Sequence, residues 1–207
     1  DMVLGNYYLT IERENQKGEG NVYKDINEAI MAFENKYITI HSRIAVPTSS
    51  FSKKRFPDAY KGFYIITTLG KLIFNDIFPS SFPYLNEATK TNLENSISGV
   101  HFVPKGVDIK AFIRNRKAVA PFKKKFLEEI ILEIFRLYKT AETSRILDKM
   151  KDLGLRYATS AGITISYTDV VIPDEKYQKI AETEKKVEQI NHQFRRGLST
   201  NSERYRL

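Results

Sequence analysis

Residues 174–196, DEKYQKIAETEKKVEQINHQFRR, constrain this chain more than any other stretch. Tyr177, Ile180, Glu184, Val187, Asn191 and Phe194 follow one another at alternating steps of three and four, a heptad seam. Nearly everything else in the segment is Glu, Lys or Gln. A helix with so narrow an apolar stripe cannot be buried all round and takes a single partner along the stripe. The residues that follow name the partner. Gly197 is a natural helix stop, and Thr200 with Glu203 three positions on is a capping box that opens a second helix. The sequence then stops at Leu207. The segment reads as a helical hairpin projecting from a body, with most of its second arm missing. The expectation is therefore a piece of a longer polypeptide, and a start at Asp1-Met2 points the same way.

The body comes first in the chain. Residues 1–10, DMVLGNYYLT, are apolar and aromatic and predict a short helix, followed by a turn at Gly18 and Gly20. Ile26, Ala29, Ile30 and Phe33 share one helical face over 25–35, with Asp25 or Asn27 as cap. Residues 37–46, YITIHSRIAV, alternate as a strand does, and FYIIT at 63–67 reads as a buried strand. A helix over 69–78 is stopped by Pro79. Residues 79–120 hold Pro79, Pro83 and Pro104 without a sustained period and predict turns, short helices and mobile segments. Beyond Pro121, a core helix carries Phe126, Leu127, Ile130, Ile131, Ile134, Phe135 and Tyr138 on one face. A second helix over 143–154 is capped by Thr143 or Ser144 and ended by Gly154, and 156–173 is expected to be extended or loop. The fold class is α+β: a mainly helical domain with a few short strands, then a truncated antiparallel helical hairpin.

The chemistry in these residues is sparse. There is no Cys, hence no thiolate metal site, which is compatible with a reducing compartment. His41, His101 and His192 are scattered, and no phosphate-loop or nucleophile-elbow pattern occurs. Asp148 and Asp152 could hold a cation, but Lys149 and Lys151 flank them, and a solvated face is the better reading. A net charge of +8 favours a polyanionic partner. Basic clusters at 53–55, 113–117 and 123–125 lie among aromatics, an arrangement that can grip a nucleic-acid backbone. A free-standing nucleic-acid-binding adaptor with a coiled-coil arm is thus an open alternative. No apolar run approaches the ~20 residues of a membrane span.

Four blocks, DMVLGNYYLT (1–10), GKLIFNDIFP (70–79), LDKMKDLGLRYATSAGITISYTDVVIP (147–173) and QFRRGLSTNSERY (193–205), occur in the order and spacing of one family. The chain resembles the bacterial DNA-directed RNA polymerase beta-prime subunit nearly end to end. The resemblance implies that 1–172 is a pore domain shaping the secondary channel, the route of incoming nucleotides. It implies that 173–207 is the first arm and turn of the funnel domain's rim-helix hairpin. Gly162, Ile163, Thr164, Ile165 and Asp169 would line the channel. Arg196, Gly197, Leu198, Glu203 and Tyr205 would dock transcript cleavage factors. The implied partners are the beta, alpha and omega subunits, template DNA and RNA, with no membrane and a cytoplasmic setting. The family's Mg²⁺-binding aspartates lie in a motif, NADFDGD, that this sequence lacks, and its zinc-binding cysteines and mobile catalytic elements lie elsewhere. The resemblance therefore assigns no catalytic or metal residue and no cofactor here, and leaves Mg and Zn to the intact subunit. The piece alone is expected to be inactive. At Ser166 the family more often has glycine, which puts the local loop shape in question.

Overall fold

The computed structural model describes residues 1–52 and 55–206. They form two compact units, Asp1–Ile163 and Thr164–Leu207. Unit 1 is α+β. It begins with α1 (Met2–Leu9), then α2 (Ile26–Glu34), which starts where Asp25 accepts from the Glu28 amide at 3.0 Å.

A three-stranded antiparallel sheet follows in the order β1 (Arg43–Pro47), β2 (Tyr64–Thr68), β3 (Phe102–Val103). Val46 pairs with Ile65, and Tyr64 with Val103. Alternation divides its side chains. Ile44, Val46, Ile65 and Phe102 join a cluster with Leu69 and Leu72 on one face. Ala45, Ile66 and Val103 face Ile113 on the other. Both faces are covered, which is why FYIIT reads as a continuous apolar run rather than an alternating one.

The first expected strand is shorter than its pattern. Lys36 has φ 59°, and only residues from Arg43 onward join the ladder. Ile38 and Ile40 are buried as the alternation requires. However, the Thr39 amide donates to Ser42 Oγ at 2.9 Å and the Ser42 amide to the Thr39 carbonyl at 3.2 Å. This local turn satisfies the backbone in place of a ladder.

α3 (Leu69–Asp76) is capped by Thr68, whose hydroxyl accepts from the Lys71 amide at 3.2 Å. Residues 79–120 contain α4 (Lys90–Leu93) and α5 (Ile109–Arg114). The expectation of mobile segments is corrected here: Phe82, Tyr84 and Leu85 are fully buried, and asparagines pin the chain. Asn75 holds both the amide and the carbonyl of Leu85, at 2.7 and 2.8 Å. Asn92 reaches the Tyr84 carbonyl at 2.7 Å. Side chains supply the pairing that secondary structure would otherwise give.

α6 (Lys124–Ala161) carries the main helical core, where Phe126, Ile130, Ile134, Ile146 and Met150 meet Leu9, Phe74 and Phe122. It is broken at Lys139, with φ 59° and ψ −164°. Three expectations are corrected along it. Thr143 does not cap a helix start; it lies inside α6 and its hydroxyl donates to the Lys139 carbonyl at the break. Phe135, placed on the apolar face by periodicity, is 52% exposed. Gly154 does not end the helix, which runs to Ala161 and stops at Gly162, so 156–161 is helical rather than extended.

Gly154 has another purpose. A Cβ there would lie 2.4 Å from the Met2 carbonyl oxygen, and one on Gly5 would lie 1.7 Å from the Gly154 carbonyl oxygen. The two glycines let α1 and α6 meet backbone to backbone, with Asn6 Nδ2 donating to the Met2 and Met150 carbonyls at 2.9 and 3.2 Å.

Unit 2 holds a single 3₁₀ turn at Tyr167–Asp169, then α7 (Glu175–Arg195) and α8 (Asn201–Arg206). None of its described residues is buried. No helix among the described residues is long and apolar enough to cross a membrane.

Candidate functional site: a capped helical turn

The turn between α7 and α8 is built by local chemistry. α7 ends as Gly197 takes φ 72°, the Gly197 amide donating to the Phe194 carbonyl at 2.9 Å and the Leu198 amide to the Gln193 carbonyl at 3.0 Å. The capping box forms as its spacing predicts. The Thr200 amide donates to Glu203 Oε2 at 2.8 Å, and the Glu203 amide to Thr200 Oγ1 at 3.3 Å. The Thr200 hydroxyl also donates to the same carboxylate at 2.8 Å. These bonds, the backbone one first, hold the Glu203 carboxyl below its ordinary pKa. The Arg204 guanidinium lies 4.4 Å over the Phe194 ring and ties the two helices together. Leu198 is 69% and Tyr205 90% exposed. Arg196 and Gly197 are exposed as well. Arg196, Gly197 and Leu198 therefore sit on the turn and Glu203 and Tyr205 on α8, with Glu203 taken up by the cap. The seam marks Phe194 in the sequence, but nothing local marks Arg204 as its partner.

The segment expected to line a channel divides between the units. Gly162 and Ile163 close unit 1; Thr164, Ile165 and Asp169 belong to unit 2. All five are exposed, Ile165 at 82%. Asp169 is engaged locally, where its Oδ2 accepts from the Ser166 amide at 2.8 Å and starts the 3₁₀ turn. Ser166 has φ −101°, so a side chain there imposes no strain and glycine is not required.

The basic clusters divide: Arg55 and Arg116 are engaged within the fold, while Arg114, Lys117 and Lys123–Lys125 are exposed. Arg55 donates to the carbonyls of Asn75 and Phe78 at 3.0 and 2.9 Å, closing the C-terminal end of α3. Lys53 and Lys54 lie outside the described residues. Arg116 and Lys71 flank Glu12 at 3.3 and 3.0 Å in a buried triad. Burial pushes the Lys71 pKa down, with Glu12 opposing. Arg43 extends the triad by donating to the Arg116 carbonyl at 2.7 Å. Lys123–Lys125 remain exposed.

The acids and histidines are equally structural. Asp148 and Asp152 pair with Lys151 at 3.3 and 3.5 Å. No cluster of three or more His, Cys, Asp or Glu stands together among the described residues. His41 packs edge-on against Tyr8, with Nδ1 3.2 Å from the Ile11 carbonyl; burial, and then Arg13, bring its pKa down to about 4. His101 reaches Glu87 at 3.1 Å.

Residues 1–170 match the family described as RNA polymerase Rpb1, domain 3. The chain belongs to that family. It is also similar over 99% of its length to DNA-directed RNA polymerase subunits beta'. Identity is 52% to the subunit of Halalkalibacterium halodurans, 51% to that of Shouchella clausii and 53% to that of Bacillus cytotoxicus. The chain spans 17% of the length of each of these relatives.

Proposed function

We propose that this chain is a part of the beta-prime subunit of a bacterial DNA-directed RNA polymerase and works in transcription within that nucleotidyltransferase. Residues 1–172 serve as the pore domain that shapes the secondary channel, and 173–207 as the first arm and turn of the rim-helix hairpin. The partners are the beta, alpha and omega subunits, template DNA and RNA, and transcript cleavage factors that dock on the hairpin. The intact subunit holds Mg and Zn; this piece has no catalytic role of its own and is inactive alone, in a cytoplasmic enzyme.

One observation carries the reading: the end-to-end similarity to beta' subunits, which continues through an arm that buries nothing by itself yet ends in a capped turn. A surface so well formed and so little used for folding suits presentation to a partner. The adaptor reading is the weaker one, because Arg55 and Arg116 are engaged inside the body.

The test uses the full subunit in assembled polymerase. Replacing 196–205 by a short Gly/Ser turn removes the docking surface. Factor-stimulated transcript cleavage is expected to be lost while elongation without factor persists. Equal loss of both would assign the hairpin to the folding of the enzyme and sink the docking reading.

A further inference from the structure

Residues 115–123 cross from α5 to α6 with neither helix nor strand, and side chains hold them down. The Ala118 amide donates to Glu14 Oε1 at 2.9 Å, and the Phe122 amide to Thr10 Oγ1 at 3.0 Å. Arg116 is the anchor: its guanidinium lies 3.3 Å from Glu12, and its carbonyl accepts from Arg43 at 2.7 Å. The crossing thus lies along residues 10–14, and Phe122 at its end is fully buried.

His101 stands beside this anchor. It ends a 3₁₀ turn, Gly99–His101, just before β3, and is 1% exposed. Its Nε2 is 3.1 Å from Glu87 Oε2. A carboxylate only accepts, so Nε2 carries the proton and Nδ1 presents its lone pair. Nδ1 is buried with no partner among the described residues, and so is Arg116 Nη1. A second proton on the ring would therefore place a donor where nothing accepts it, and a cation beside a guanidinium that already lacks part of its bonding. The other charges nearby are Lys71 of α3, held on Glu12 at 3.0 Å, and Arg43 of β1. The neighbouring elements add two phenols: Tyr64, which pairs with Val103 across the sheet, and Tyr60, whose hydroxyl a Cβ on Gly99 would approach to 3.0 Å. Glu87, His101, Arg116 and Lys117 line one surface cavity of about 530 Å³, which gives protons a route in.

We propose that residues 115–122 form an acid-released strap with His101 as its trigger. A neutral His101 lets Arg116 stay on Glu12. A protonated ring expels Arg116 and lifts the strap from residues 10–14, while the sheet stays paired.

Burial first, and then Arg116, hold the pKa of the ring below its ordinary 6.5, with Glu87 opposing. Above 6.5 the ring is neutral whether the strap is down or lifted, and the strap is held fully. Below it the lifted state takes the proton first. Opening then gains up to about tenfold per pH unit, until the pKa of the folded ring is reached.

The experiment follows hydrogen exchange in polymerase assembled with the full-length subunit, from about pH 7 down to about pH 5, a range above the ordinary carboxylate values. Rates corrected for intrinsic pH dependence are read at Ala118 and Phe122, with Ile44–Val46 of β1 as the control for the sheet. The strap amides are expected to speed up about tenfold over that range while the sheet amides stay level. His101→Gln still donates to Glu87 but takes no proton, and should keep the strap protected throughout. Glu87→Gln removes the acid that helps the folded ring keep its proton, so the rise should begin at the same pH and end higher. A rise that survives His101→Gln belongs to another group, such as His41 beside the Ile11 carbonyl, and the trigger is wrong. A rise shared equally by the sheet is unfolding of the whole unit, and the strap is wrong. No rise in the unaltered protein sinks both. Should His101→Gln fail to assemble, Glu87→Gln decides: a rise no larger than that of the unaltered protein overturns the trigger.

Discussion

Residues 1–163 and 164–207 have similar local chemistry and opposite patterns of burial. Both contain well-capped helices and glycine stops. The first unit buries fourteen hydrophobic side chains in its largest cluster alone and closes both faces of its sheet. The second, among its described residues, buries none. Capping and propensity thus place a helix, but they do not give it a reason to stay. In the first unit that reason is internal. In the second it is an unfilled seam, and a 21-residue helix held by its own hydrogen bonds is marginal in water.

The largest expected contrast comes from charge inside the first unit. Glu12 has no exposed side-chain area and stands between Lys71 and Arg116. Glu12→Ala leaves two buried cations without a partner and should cost about 3–5 kcal/mol. Urea unfolding followed by tyrosine fluorescence measures it. A loss below about 1 kcal/mol would mean that water reaches the triad and that the first unit is less closed than its core suggests. α7, which does not depend on this triad, should keep its helical signal at low urea in the same variant.

A smaller effect follows from His41. Its pKa falls from an ordinary 6.5 to about 4 in the folded chain. Between those values the unfolded chain binds more protons than the folded one, so stability rises with pH across the window. The full contribution is present above pH 6.5 and is lost as pH falls toward 4, on the order of 3 kcal/mol in all. His41→Gln should flatten that part of the slope, leaving the carboxylates to supply the rest. An unchanged slope would show that His41 is solvated in the folded state.

What could be seen in the sequence divides along the same line. Asp25, Gly197 and the Thr200–Glu203 box were legible because each acts over three or four residues. The apolar stripe of α6 was legible to Tyr138, Phe135 excepted, and the break at Lys139 ends its register. The failures were long-range. Gly154 looks like a stop until Met2 and Gly5 are beside it. The 37–46 alternation is real, but a Thr39–Ser42 turn takes its first half. Arg116 read as one of a basic cluster, and Lys71 was not singled out; their partner Glu12 is 104 and 59 residues away. At the hairpin, the turn was readable and the stack of Arg204 on Phe194 across it was not, because the two are ten residues apart with a turn between them.

The smallest expected effect is the one that tests the comparison most directly. Ile180 and Val187 are the aliphatic members of the α7 seam, 44% and 50% exposed. In this chain, Ile180→Ala and Val187→Ala should each shift stability by no more than about 0.5 kcal/mol, as surface substitutions do. In a full-length subunit where a complete second arm lies along the seam, the same changes remove buried methyl groups and should cost about 1–3 kcal/mol each. Hydrogen exchange of the α7 amides, in the chain alone and in the assembled polymerase, reads both contexts. Protection that rises in the polymerase and falls again with the alanines means the seam is filled there. Equal exchange in both contexts would mean that the narrow stripe, the feature that first set this segment apart, has no partner, and that α7 stands on its i→i+4 ion pairs such as Lys179–Glu175.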